Sequence, residues 1–403
     1  MNRNNFVRDN VMIYKCLGSW PLDCVARRLE NTRYILGLTL IAVITVFNGL
    51  QYIDLFIEWG DWGFISENIS VSFIYSIFVS KIYVFYSRRR EIMEMVLEID
   101  NYVRKTYKDG HQSNVQILQS CEDIARRIKI VFGWSALLTV IILHTWPIAS
   151  MIFKKDPNLR MLGVPAYFPF SLNSTNNYAI AYVVEIVTAS VMSLHTVNFD
   201  TFFISCILFA IGRLRILHNS INNIKKIAPS DLQMKFSKNE TYQAELQKCI
   251  HQLLSEAIAE HQKIILFCQV IDSMLSWIMF IGFFIYSVML CFVGMRIIMI
   301  GPSIKLLQLM EYLAIMMTQI FLYYWHGNEL KLESLKIHDA AYNCDWYSFD
   351  RNSQQTIMFI MMRGQKPIYL TAGKFYYVTL ETFLSLLGGS YSYFAVMQQL
   401  YDS

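Results

Sequence analysis

An all-α integral membrane protein with seven transmembrane helices is what this sequence predicts, and three of its features lead there. Hydrophobic residues make up 54% of its 403 residues, while charged residues supply only 16%. Soluble domains carry roughly 25% charged residues. Apolar stretches of about twenty residues, the length that crosses a bilayer, recur seven times along the chain. Lys and Arg gather in alternate connections between those stretches, as the positive-inside rule requires.

In chain order, the first span covers residues 33–53. It follows a polar segment with no cleavable signal peptide, so it serves as its own insertion signal. The second covers 69–86. The third, 130–153, contains Trp146-Pro147; proline lacks an amide N–H there, which should kink the helix and free a carbonyl. The fourth (178–211) and fifth (264–295) exceed the bilayer and should continue as helices into the cytoplasm. Residues 237–265 place Leu246, Ile250, Leu253, Leu254, Ala257 and Ile258 at helical spacing. That strip packs either on other subunits or on its own chain. The sixth span covers 303–325 and the seventh 374–401, with Gly373 as its natural start. No internal repeat or long linker divides the chain, so residues 1–403 read as one domain.

Basic residues number five before the first span, then nine, eight and five in the second, fourth and sixth connections. The other side holds Lys154, Lys155 and Arg160 in the third connection, Arg296 in the fifth, and none in the first. This puts the N-terminus in the cytoplasm and the C-terminus outside, opposite to a G-protein-coupled receptor. The glycosylation sequons at Asn68 and Asn173 fall outside, and a third at Asn239 inside. The eight cysteines avoid the outer connections, which leaves no extracellular disulfide framework. A net charge of +4 calls for no nucleic acid.

Ionisable groups within spans are functional suspects. Lys81 lies near a span end, where its amine can snorkel to water. Glu185, His195 and Asp200 in the fourth span read as structural partners of neighbouring helices, and His144 as part of the bend before Pro147. Glu381, at the start of the last span, makes either a salt bridge or one member of a carboxylate ring that attracts cations. Val396, Gln399 and Leu400 lie at i, i+3 and i+4 and share one face of that span. An amide between aliphatics suits a narrow pore lined by several copies of this helix, or a frayed end at the headgroups. Gly388–Gly389 leave room for a close neighbouring helix. No catalytic motif, metal-ligand spacing or cofactor fingerprint is present, so an enzyme is not expected.

The segment 346–400 resembles the C-terminal region of insect odorant receptors. The resemblance rests on Trp346-Tyr347, Arg363-Gly-Gln365-Lys-Pro367, Thr371-Ala-Gly373-Lys-Phe375 and Ser392-Tyr393-Phe394. It implies a ligand-gated, nonselective cation channel of four subunits, each giving its last helix to one pore. Aligned on Ser-Tyr-Phe, the family's hydrophobic gate falls on Val396 and Leu400, and its polar pore position on Gln399. The family's cytoplasmic anchor would come from the inner ends of spans four to seven. Its odorant pocket, in the outer half among spans two, three, four and six, falls here on Ser72, Tyr75, Ser76, Thr139, Trp146, Met192, Leu309 and Tyr312. The connection 213–263 is shorter than that of the family's co-receptor. The resemblance therefore implies an odour-tuning subunit in the plasma membrane of olfactory sensory neurons. Its partners would be co-receptor subunits in a tetramer, a small volatile ligand, permeating cations and membrane lipid. The related gustatory receptors carry Thr-Tyr, five residues, then Gln-Phe, where this chain has Ser392-Tyr393, five residues, then Gln399-Leu400. Those two substitutions favour the olfactory branch.

Overall fold

Apolar stretches form helices because, away from water, each backbone group must find its partner within its own segment. The computed structural model describes residues 6–20, 27–60, 62–154, 162–233, 240–300 and 304–402. Its helices are α1 (Arg8–Cys16), α2 (Arg27–Ile57), α3 (Trp62–Ser87), α4 (Arg89–Asp109), α5 (Gln112–Lys154) and α6 (Thr175–Asn222). They continue as α7 (Ile224–Gln233), α8 (Glu240–Ile300), α9 (Ile304–Asn343), α10 (Arg351–Gly364) and α11 (Leu380–Asp402). The strands β1 (Thr371–Ala372) and β2 (Tyr376–Tyr377) pair antiparallel just before α11.

Six of these helices, α2, α3, α5, α6, α8 and α9, are long and apolar enough to cross a membrane. The seventh expected span is helical too, as α11, but does not meet that hydropathy. Its glycines, serines, tyrosines and glutamines dilute the aliphatics. At 23 residues it is about 34 Å long. Large apolar side chains along α5, including Val131, Trp134, Leu138 and Ile141, remain exposed, as a lipid-facing surface would be.

Helix α6 is the axis of the bundle, packed by α1, α2, α3, α5, α8 and α9. From Asn198 to Leu214 every side chain on it is buried. The expected continuation of the fourth and fifth spans is present, with α6 running 48 residues and α8 61. Helices α5 and α9 extend likewise, to 43 and 40 residues. The apolar strip in 237–265 packs within this chain. Ile250, Leu254 and Ala257 are buried, and α8 meets α7 and α10. Arg213 ties this end together, its guanidinium bonded to Glu98 of α4 and Glu260 of α8 and lying over the Tyr102 ring. The N-terminal helix α1 is inserted against α6, where the Asn10 amide donates to Asn198 O at 3.1 Å and Thr201 Oγ1 at 2.8 Å.

Two glycines of the C-terminal motifs have steric reasons. A Cβ on Gly364 would stand 2.8 Å from the His338 amide nitrogen, so α10 and α9 cross too closely for any side chain. Gly373 has φ +61, and a Cβ there would stand 2.6 Å from the Phe280 ring. It turns a hairpin rather than starting the last helix. Asp272 of α8 accepts from the Thr371 amide at 2.6 Å and its hydroxyl at 2.8 Å, while the Gly373 amide donates to Ser276 O at 2.8 Å. These bonds pin the hairpin to α8 and delay α11 to Leu380.

Helix α5 continues through Pro147, and the carbonyl of His144, three residues earlier, accepts from the Tyr182 hydroxyl. One other expectation changes: Lys81 does not snorkel. It is 2% exposed, and its amine reaches both Asp200 oxygens at 2.7 and 2.9 Å. Gln319 and Tyr323 of α9 donate to the same carboxylate at 2.6 and 2.8 Å.

Breaking a buried ion pair strands the remaining charge, at a cost of about 3–5 kcal/mol. Lys81→Met should lower thermal stability in detergent by that order. The double variant Lys81→Met/Asp200→Leu should lose less, because no charge is left unpaired. A double variant that melts below the single one would disprove this account of the pair.

Candidate ligand site and pore helix

The eight positions expected to form the pocket lie on four helices, and hydrogen bonds link several of those helices directly. On α3, the Ser72 hydroxyl donates to Asn68 Oδ1 at 2.7 Å, while Ser76 turns to α2, bonding Tyr52 at 2.7 Å and Asn48 at 3.1 Å. Tyr75 is buried with its ring 5.6 Å from that of Phe47. It belongs to an apolar cluster that also takes in Phe78, Val164 and, from α6, Met192. Thr139 of α5 donates to Glu311 of α9 at 2.7 Å, and the adjacent Tyr312 donates to Ser70 O of α3 at 2.9 Å. Helix α9 thus ties α5 to α3 through two consecutive residues. Leu309 is buried one turn away. Trp146 lies in α5, but its side chain is outside the described residues.

Sequence reasoning missed Glu311 and Lys81. Glu311 sits among apolar neighbours with no motif around it, and Lys81 stands too near a span end to be told from a snorkelling lysine. Two small cavities both border Lys81. One of about 20 Å³ is lined by Lys81, Tyr286, Gln319, Tyr323 and Leu386. The other, of about 10 Å³, lies toward Tyr14, Ser19 and His195. Each is on the scale of a single water.

Of the two sequons expected outside, Asn173 is exposed. Asn68 is not a workable glycan acceptor. It is fully buried within α3, and its amide nitrogen donates to Asp54 at 3.3 Å. Asn239 lies outside the described residues.

Helix α11 presents two faces. Phe383, Leu386 and Ser390 are buried. The Ser390 hydroxyl meets that of Ser287 at 3.1 Å, and its carbonyl accepts from the Cys291 thiol at 3.2 Å. One turn on, Phe394 packs directly onto Gly294, whose missing side chain leaves room for the ring. Opposite, Leu384, Tyr391 and Val396 are uncovered, Val396 at 55%. Gln399 is exposed as well. Leu400 continues the helix, its side chain outside the described residues. Beyond its own helix backbone and chain neighbours, no described atom lies within 4 Å of a Cβ added at Gly388 or Gly389. Among the described residues, no other helix of this chain therefore uses the room they leave. Glu381 is exposed in the first turn of α11 and makes no ion pair among the described residues.

A seven-helix odorant receptor family model, described as "7tm Odorant receptor", matches residues 62–391. Odorant receptor 10 of Aedes albopictus is 26% identical over 387 residues, covering 95% of this chain and 96% of its own. Odorant receptor Or2 of Anopheles gambiae is 23% identical over 391 residues, with the same coverages. Among solved structures, the insect olfactory receptor OR5 from Machilis hrabei in complex with eugenol superposes with a TM-score of 0.82. It is 17% identical and covers 98% of both chains, a likeness of fold. With a family match over most of its length and relatives aligned nearly end to end, this chain, a membrane protein and not an enzyme by kinship, belongs to the insect odorant receptor family.

Proposed function

We propose that this chain is an odour-tuning subunit that binds a small volatile ligand and joins co-receptor subunits in a tetrameric, odour-gated cation channel of the sensory-neuron plasma membrane. The observation that carries the proposal is the division of α11. One face is fastened to α8 by Ser390, Cys291 and Phe394, while the face bearing Val396 and Gln399 is left uncovered. An uncovered face with an amide among aliphatics suits a central axis shared with other subunits, where an apolar constriction blocks ions by dewetting. Kinship supports the ligand class, and the eugenol complex of a receptor with this fold gives the scale of molecule. In this reading the whole chain is one seven-span unit. Ser72, Tyr75, Ser76, Thr139, Trp146, Met192, Leu309 and Tyr312 are its pocket positions, and Val396, Gln399 and Leu400 its pore positions. The strong one-sided excess of Lys and Arg supports a cytoplasmic N-terminus and an extracellular C-terminus.

Odour-evoked currents should require both this chain and the co-receptor in one cell. A tag after Ser403 should stain on intact cells, and one before Met1 only after permeabilisation; the reverse pattern would overturn the proposed topology.

Tyr312→Ala removes the α9–α3 bond and a ring, and should raise the half-maximal odour concentration about tenfold or more. Currents from a direct co-receptor agonist should be unchanged.

At the gate, Val396→Ser should ease wetting and raise current without odour, and Gln399→Ala should alter permeability ratios. A cysteine at Val396 should react with external thiol reagents faster in the presence of odour. Background labelling by external reagents should be low, because Cys121, Cys206, Cys268, Cys291 and Cys344 are buried, and the exposed Cys16 and half-buried Cys249 lie on the side proposed as cytoplasmic. Burial also pushes the Cys344 thiol up to about 11, away from the reactive thiolate. Unchanged currents together with odour-independent labelling would place this face against lipid.

A further inference from the structure

Four buried polar atoms meet between α5 and α6 without hydrogen-bond partners. His144 is 7% exposed and Glu185 0%. His144 Nδ1 stands 3.7 Å from Glu185 Oε1, beyond hydrogen-bond reach. That distance makes an ion pair only if the imidazole is protonated, and neither imidazole nitrogen and neither carboxyl oxygen has a hydrogen-bond partner. The backbone amides of Gly163 and Val164 approach the carboxyl without closing a bond. Across from them on α3, the Tyr75 hydroxyl points toward Thr188 and Glu185 and is unpaired too. Buried polar groups in native proteins are almost always satisfied, so a cluster of exceptions calls for a missing partner.

The location says what kind of partner. Glu185 and Met192 are seven residues apart and share one face of α6. Leu143 and Val184, the neighbours of His144 and Glu185 in sequence, pack on the same apolar cluster as Tyr75 and Met192. The unpaired atoms therefore border the wall assigned above to the ligand. The carboxyl oxygens and an imidazole nitrogen accept hydrogen bonds, whereas the tyrosine hydroxyl can donate one. A hydroxyl group satisfies both kinds at once. A protonated amine would satisfy only the acceptors, and would bring a full charge into an apolar site.

We propose that Glu185, assisted by His144 and Tyr75, recognises the hydroxyl headgroup of an alcohol or phenol ligand, and so determines specificity. This rests on the ligand-binding role proposed above and adds the chemical class of the ligand.

The test is made on the full complex with the co-receptor, in lipid nanodiscs. Ligand-induced thermal shifts are measured for a panel of aliphatic alcohols and phenols, each beside its methyl ether. The ether keeps the acceptor and loses the donor. At least one alcohol or phenol should act at a concentration about tenfold below that of its ether, the factor one hydrogen bond supplies. Glu185→Leu should erase the difference while ether binding persists. Glu185→Gln, nearly isosteric and still an acceptor, should keep most of it. Equal action of alcohols and ethers on the wild type, no action by any of them, or a preference that survives Glu185→Leu would each overturn the proposal. The first result would leave an internal water as the missing partner. Donor-selective binding without odour-evoked current would refute the channel role and keep this inference; currents without donor preference would do the reverse.

Discussion

A carboxylate buried at the middle of a helical bundle holds only if it is fully satisfied, and Asp200 receives four hydrogen bonds. They come from Lys81 on α3 and from Gln319 and Tyr323 on α9, so one side chain of the axial helix fixes two of its neighbours. Two properties follow from this pair. The height of α3 relative to α6 is set, since an ammonium cannot slide a turn without being stranded. Helix α9 is held in the same register by two neutral donors. Two small cavities also border Lys81, where the ammonium and tyrosine hydroxyls stand among mostly apolar side chains.

From that anchor the bundle reaches its two functional regions by short paths. Helix α9 carries Gln319 and Tyr323 to Asp200, and about two turns earlier it carries Glu311 and Tyr312 to α5 and α3. One helix thus contacts both the proposed ligand wall and the carboxylate of the buried ion pair. Helix α8 makes the corresponding link to α11 through Ser287, Cys291 and Gly294. It also lines, with Leu386 of α11, the cavity that Lys81 borders. Helices α8 and α9 both contact α11, and α3 contacts α8, so the proposed ligand wall and the proposed pore helix are joined through α8 and α9.

The sequence by itself determined the helices and their apolar faces, because a span must be about twenty apolar residues long and the strip in 237–265 must repeat at helical spacing. It also carried the resemblance to one family in its C-terminal motifs, whose Gly364 and Gly373 the structure places where a close crossing and a positive φ exclude other side chains. What it could not carry is pairing across long separations. Lys81 and Asp200 are 119 residues apart, and nothing local tells a lysine that snorkels from one that meets a carboxylate. The hairpin before α11 depends on Asp272 and Ser276, about a hundred residues earlier, and so the last helix begins later than its apolar run suggests. Likewise, Glu185 reads as a structural partner and His144 as part of a bend, until burial and a 3.7 Å separation leave both without a hydrogen bond. Periodicity records which face of a helix is apolar. Only the packed bundle decides which polar group on that face finds a partner, because hydrogen bonds act within about 3 Å and depend on where every other helix has come to rest.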